Sequence, residues 1–167
     1  MCKVLRLELI STFKPVFSTV TNYKRKILCL FDTGATMPVW CKSEGLFHVV
    51  FPDAELLEKK FLLSGFGKVA EIVDVYKIPV FYITDGDSTL EFRNLHIATL
   101  FNRDFGCDLV LSYTMFTHVD YTVRNRNANV STLEITYDRD VYYISPVVHE
   151  VKAEYIKRVS SFALEED

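Results

Sequence analysis

The feature that most constrains the fold of this chain is a succession of short strand-like segments. Residues 4–10 alternate apolar and polar side chains, which is the pattern of a strand with one buried face. Residues 27–31 are continuously apolar and suit a fully buried strand. Residues 72–84 are rich in β-branched and aromatic side chains, and residues 89–101 return after a turn signal at 85–87. The pattern predicts a mainly β fold.

Helical signals are fewer. Residues 52–61 begin with a proline and carry acidic side chains in their first turn, which predicts a short helix. Residues 131–144, interrupted by a turn signal at 138–140, are predicted to pair as a second hairpin. Ser145 and Pro146 then suit the cap and first position of an amphipathic C-terminal helix. Its apolar residues recur at steps of three and four, and they are Val148, Val151, Tyr155, Val159 and Phe162.

Composition and charge indicate what kind of protein this chain is and which partners it does not favour. Apolar residues make up 49% of the 167 residues, enough for one folded domain with a core. The formal net charge of −3 does not favour nucleic acid or an anionic membrane surface as a partner. Neither a secretion signal nor an apolar run of about 20 residues is visible, so a cytoplasmic location is expected. The four cysteines and four histidines show no zinc-site spacing, so no zinc site is expected.

The stretch ILCLFDTGATMPVW, at residues 27–40, is the most informative one for function. An apolar strand runs directly into Asp32, Thr33, Gly34 and Ala35. A carboxylate at the mouth of an apolar strand is costly unless it is hydrogen-bonded or functional. The glycine permits a sharp turn and a close approach of other backbone, and the threonine hydroxyl can both donate and accept. An ordinary β-turn is the plain alternative, because Asp and Gly are common turn residues.

This loop resembles the active-site loop of aspartic peptidases, and at this chain length it is similar to that of the retropepsin-like family. Members of that family carry a glycine-rich flap hairpin downstream, where this chain has Gly65, Phe66 and Gly67. They also have a later segment that passes beside the catalytic loop and leads into a short helix. Residues 107–123 match that segment in outline, with Ser112 where glycine is usual. The resemblance implies a retropepsin-like closed β-barrel, the half-domain of an acid protease.

The same resemblance implies an aspartic endopeptidase that hydrolyses peptide or protein substrates. Asp32 would be the catalytic acid and base, Thr33 would brace the catalytic pair of aspartates, and Gly34 would permit their close approach. Such enzymes need two carboxylates that share one proton. No second Asp-Thr-Gly or Asp-Ser-Gly occurs in the sequence, so a homodimer is implied. The residues that the resemblance places against the substrate are Ala35, Gly65, Phe66 and Gly67.

On this interpretation residues 1–125 form the peptidase domain, and residues 126–167 form an extension of hairpin and helix. The extension would pack on its own domain or on the dimer partner, and the first strand could contribute to the dimer interface. Two alternatives stay open: a catalytically silent dimeric module of the same fold that binds peptide or protein, and an unrelated β-barrel domain with a chance Asp-Thr-Gly. A Cys-His hydrolase built on Cys41 or Cys107 has no recognisable local signature.

Overall fold

A computed structural model describes residues 2–10, 15–21, 23–32, 34–35, 37–58, 60–63, 71–125 and 130–144. Over these residues the fold is mainly β, which confirms the predicted class. The helices are α1 (Glu44–Val50) and a 3-10 helix (Tyr113–Phe116). In chain order, the strands are β1 (Lys3–Leu9), β2 (Val16–Val20), β3 (Lys26–Asp32), β4 (Val39–Trp40), β5 (Glu55–Leu56), β6 (Phe61–Leu63), β7 (Glu71–Val73), β8 (Val75–Thr84), β9 (Thr89–Thr99), β10 (Leu109–Ser112), β11 (Asp120–Asn125), β12 (Ser131–Tyr137) and β13 (Val141–Tyr143).

The largest sheet has the strand order β2-β3-β10-β4-β9-β8-β5, with β13 added in parallel to β9. It curls so far that β2 meets β8 across its open side. There the buried hydroxyl of Thr19 accepts the Thr84 N–H at 3.1 Å and donates to the Tyr82 carbonyl at 3.5 Å. Two smaller sheets complete the fold, β6-β7 and β1-β12-β11. No helix in the described ranges is long and apolar enough to cross a membrane.

The long hairpin of β8 and β9 forms as predicted. Its antiparallel register runs from Val75 opposite Ala98 to Thr84 opposite Thr89. Gly86 has a φ of 95°, a conformation that side chains with a Cβ rarely adopt, so the turn depends on glycine there. Asp85 stabilises this turn, because its carboxylate accepts N–H groups of the next residues.

The second predicted hairpin is wrong. Strand β12 pairs along its whole length with β1 on one side and lies beside β11 on the other, whereas β13 joins β9 in the main sheet. The burial patterns of β12 and β1 explain why these two strands pair. Alternate residues of β12 are buried and face the matching buried residues of β1, so the two strands close one apolar layer. Strand β1, a candidate for the dimer interface, therefore has one edge occupied by its own chain.

The helix predicted over residues 52–61 is also wrong within the described part of that segment. Helix α1 lies earlier in the chain, and two residues of the predicted segment form β5 instead. Ser43 caps α1, accepting the Leu46 N–H at 3.1 Å. Phe51 ends the helix because Pro52 follows it, and the residue before proline disfavours helical backbone. The predicted C-terminal helix lies outside the described residues.

Candidate active site

Asp32 is the last residue of β3, and its position follows from that strand's pattern. Ile27, Cys29 and Phe31 are buried on one face, while Asp32 is half-buried where the strand ends. Strand β3 lies between β2 and β10, inside the main sheet. The sheet thus fixes the backbone of Asp32 from both sides and leaves its side chain at the sheet's end.

The turn after β3 is organised by Asp32 itself. Its Oδ1 accepts the Gly34 N–H at 2.9 Å, and its carbonyl accepts the Ala35 N–H at 3.2 Å. Ala35 is buried, and its carbonyl in turn accepts the Tyr113 N–H at 3.1 Å. Within the part of the chain that the structure describes, Gly34 is the one donor to this carboxylate.

Strand β10 passes beside this loop, as the resemblance implied for residues 107–123. It runs parallel to β3, with Leu109 opposite Cys29 and Ser112 opposite Asp32, and the 3-10 helix begins immediately afterwards. Ser112 has a φ of −104°, ordinary extended backbone. Serine at this position therefore costs no backbone strain. The buried Ser112 hydroxyl lies 2.6 Å from the Thr114 hydroxyl, so its polar atom is satisfied.

Asp108, directly before β10, forms hydrogen bonds that connect β10 to β3 and to the residue after β4. Its Oδ2 accepts the Leu28 N–H at 2.8 Å, and its own N–H donates to the Leu28 carbonyl at 2.9 Å. Its carbonyl accepts the Cys41 N–H at 2.9 Å, just after β4. Asp108 had no predicted role. An acid directly before a buried strand was the signal that could have identified it.

Replacing Asp108 by alanine is expected to lower the free energy of unfolding by about 1–3 kcal/mol, because the part-buried Leu28 N–H loses its side-chain acceptor. Asp108→Asn keeps an amide oxygen that can accept the same bond, and it should cost less than half as much. Urea denaturation of both variants at one protein concentration measures the difference. Equal losses would show that the charge of Asp108, not its acceptor, matters.

An aromatic wall, formed by Phe31, Phe116 and Tyr121, packs around the residue that precedes Asp32. The Phe31 ring meets the Phe116 ring edge-on with centroids 5.0 Å apart, and it meets the Tyr121 ring at 4.8 Å. Phe116 comes from the 3-10 helix and Tyr121 from β11, so three chain segments converge on the residue before Asp32. Such edge-to-face pairs add stabilisation beyond the area they bury. Sequence reasoning did not identify this wall, since its members are far apart in the chain.

The thiols do not form a rival nucleophile. Cys41 and Cys107 have no exposed surface. A hydrogen bond from Cys41 to Cys107, reinforced by burial, raises the pKa of Cys41 well above its ordinary value, and the same bond lowers the pKa of Cys107. A substrate cannot reach either sulfur atom in this fold. The Cys-His hydrolase alternative therefore loses its support.

Some predicted site residues lie outside the described part of the chain. These are Thr33 in the loop and the flap residues Gly65, Phe66 and Gly67. Their roles stay predictions. Of the predicted set, the structure brings together Asp32, Gly34 and Ala35 in one hydrogen-bonded turn.

Comparisons with known proteins give a likeness among solved structures only. No protein-family model matches the sequence, and no curated protein matches it either. Among solved structures, a retropepsin-like aspartic protease from Rickettsia conorii is similar to this chain, with a TM-score of 0.48 and 16% sequence identity. The match covers 82% of this chain and 94% of the other.

Proposed function

We propose that this chain is an aspartic endopeptidase that acts as a homodimer of retropepsin-like half-domains. Asp32 of each copy would activate a water molecule that attacks the peptide carbonyl. The observation that carries the proposal is the Asp32 turn. A strand inside the main sheet delivers one carboxylate, the Gly34 N–H fixes one of its oxygens at 2.9 Å, and parallel β10 holds the loop from the side. A chance β-turn would not need this support from the neighbouring segments.

The chemistry requires two such carboxylates side by side. Two like charges at that separation cannot both ionise, so the pair holds one proton between them at its working pH. The ionised aspartate removes a proton from the water, and the protonated one donates to the carbonyl oxygen of the peptide. Water is the nucleophile, so the reaction needs no metal or organic cofactor. One chain supplies half of the pair, and a two-fold axis would supply the other half.

The substrate would lie as an extended strand against the loop, in the manner of strand addition. Ala35 is buried beneath the loop, so its contribution would be to shape the floor beside Asp32. Residues 65–67 would cover the substrate from the other side. Cys29, Cys41 and Cys107 are buried free thiols, and we place the enzyme in a reducing compartment, the cytoplasm.

A cleavage screen tests the proposal. A diverse pool of peptides is incubated with the protein between pH 4 and pH 7.5, and new termini are identified by mass spectrometry. Asp32→Asn runs beside it, and the mass of each protein in solution is recorded. Cleavage by the unaltered dimer alone supports the endopeptidase. A folded dimer that binds peptides without cutting any of them would favour the silent binding module instead.

Gly34→Ala is expected to reduce kcat/KM by up to about tenfold while the chain remains folded. A Cβ at this position would lie 3.3 Å from Asp32 Oδ1, tighter than ordinary van der Waals contact. The backbone of Gly34 does not have a positive φ, so alanine adds no strain there, and the effect falls on the carboxylate. Gly45→Ala is the matched control, since nothing lies within 4 Å of its added Cβ. Unchanged kinetics in Gly34→Ala would contradict the assigned role of this turn.

A further inference from the structure

Cys41 and Cys107 form a pair of buried thiols to which the proposed mechanism gives no role. Neither has exposed surface, and both belong to one apolar cluster with Val39 and Val110. The Cys41 thiol donates a hydrogen bond to the Cys107 sulfur, and it lies 3.6 Å from the Val39 carbonyl oxygen. Two sulfur atoms in hydrogen-bond contact point towards each other, which is the first requirement for a disulfide.

The backbone around the pair meets the second requirement, which is a short distance between the two chain segments. Strands β4 and β10 pair antiparallel, and just beyond them the Cys41 N–H donates to the Asp108 carbonyl at 2.9 Å. Cys107 directly precedes Asp108. The two cysteines are therefore neighbours in backbone as well as in side chain, and a bond between their sulfur atoms needs little movement of either segment.

The other two thiols differ from this pair. Cys2 is exposed, whereas Cys29 lies in the other apolar cluster, with Phe31 and Leu109. Burial raises the pKa of Cys29 well above its ordinary value. The hydrogen bond from Cys41, by contrast, lowers the pKa of Cys107 and outweighs the effect of burial there. Because the thiolate is the reactive form of cysteine, Cys107 is the buried thiol best suited to oxidation.

We propose that Cys41 and Cys107 are a redox pair that hydrogen peroxide converts into a disulfide in the folded protein. Both start as thiols in the reducing compartment proposed above. The Cys107 thiolate attacks one peroxide oxygen, the O–O bond breaks, and hydroxide leaves and takes up a proton. Cys107 is then a sulfenic acid.

The second step closes the bond. The Cys41 sulfur attacks the Cys107 sulfur, the S–O bond breaks, and the hydroxyl group leaves as water with the thiol proton of Cys41. The two sulfur atoms are oxidised, and one peroxide is reduced to two water molecules.

The loop over residues 101–107 controls the access of peroxide. Its residues 102–104 and 106 are exposed, while Cys107 is buried. Two contacts attach the loop: the Arg103 N–H donates to the Cys41 carbonyl at 2.8 Å, and Arg103 Nη2 donates to both carboxylate oxygens of Glu71 at 2.9 and 3.1 Å. Peroxide therefore reaches Cys107 only when the loop opens locally, and this thiol should oxidise more slowly than the exposed Cys2.

The disulfide would hold the end of this loop to the residue after β4. It would also close a long segment of chain, which restricts the unfolded state more than a short loop does. The midpoint of thermal unfolding is therefore expected to rise by about 5 °C or more on oxidation. The inference does not rest on the proposed function, because a chain that cleaves no peptide can form the same bond.

Thiol mapping tests the bond. A Cys2→Ser variant, which lacks the exposed thiol, is treated with hydrogen peroxide under native conditions; catalase removes the excess, and free thiols are alkylated in guanidinium. Peptide mapping without reductant should find Cys41 joined to Cys107 and Cys29 alkylated. Cys29→Ala in the same background changes an equally buried thiol and should leave the bond intact. Alkylation of both Cys41 and Cys107, or a bond that includes Cys29, would overturn the proposal.

Thermal unfolding tests the effect of the bond on stability. Oxidised Cys2→Ser protein should unfold about 5 °C or more above its reduced form, and dithiothreitol should reverse the shift. Cys107→Ser in the same background, treated with peroxide in the same way, should show no such shift. A disulfide that leaves the midpoint unchanged would refute the stabilising role. A bond that appears only after the chain has been unfolded would refute its formation in the folded protein.

Discussion

Replacing Asp32 by asparagine is expected to lower kcat/KM for peptide hydrolysis by at least about 10³-fold. Asparagine has the shape of aspartate, and its oxygen can still accept the Gly34 N–H that organises the turn. What it loses is the ability to exchange a proton with water and with the peptide carbonyl. Because both copies change at once in a homodimer, no catalytic carboxylate of the pair remains. The loss should therefore appear in kcat, with the fold and the dimer intact.

The measurement is steady-state hydrolysis of the best peptide from the screen, with thermal unfolding and solution mass recorded for each variant. Asp87→Asn, an equal change at an exposed turn, should hydrolyse at the unaltered rate. Mixing Asp32→Asn with the unaltered protein tests whether both chains contribute to one active site. An excess of Asp32→Asn should suppress the activity of the unaltered chain by forming mixed dimers with one carboxylate. Activity that survives in Asp32→Asn would contradict the catalytic role of Asp32. Activity of the unaltered chain that stays the same in an excess of Asp32→Asn would contradict a shared site.

Sequence patterns over a few neighbouring residues predicted those strands and turns that depend mainly on the same residues. The apolar run that becomes β3 buries its alternate residues Ile27, Cys29 and Phe31, and the turn at residues 85–87 brings β8 and β9 together. The passage of β10 beside Asp32 came from family resemblance, and the parallel register now gives it a physical basis. Asp108, whose Oδ2 accepts the Leu28 N–H of β3, fixes that register at one end.

Long-range pairing could not be predicted in the same way. Strand β13 follows β12 after a turn signal, but nothing in its own residues specifies β9 as its neighbour rather than β12. The choice is made by β1, whose buried residues match those of β12 across more than a hundred positions of chain. The helix error has a local cause. Proline and acids at residues 52–55 imitate a helix start, while the true start at Ser43 depends on one cap and on Phe47 reaching the core.

Trp40 stabilises the main sheet, which carries the candidate site. It is fully buried, and its ring meets the rings of Phe47 and Phe51 edge-on at 5.6 and 5.9 Å. Its Nε1–H donates to the Ser43 carbonyl at 3.0 Å, which joins β4 to the start of α1. Strand β4 in turn lies between β9 and β10 in the main sheet. The indole thus couples the helix to the strand that passes beside Asp32.

Trp40→Ala is therefore expected to lower the free energy of unfolding by about 3–5 kcal/mol, a large part of the 5–15 kcal/mol typical of a domain. The cost combines lost burial, the cavity left among the aromatic rings and the loss of one of two donors to the Ser43 carbonyl, which keeps the Phe47 N–H at 3.1 Å. Trp40→Phe keeps most of the ring volume and loses the donor, so it should cost about 1–2 kcal/mol. Urea denaturation at a fixed protein concentration measures both, because dimer stability depends on concentration. If Trp40→Ala cost less than Trp40→Phe, the indole would not be the element that joins α1 to the sheet.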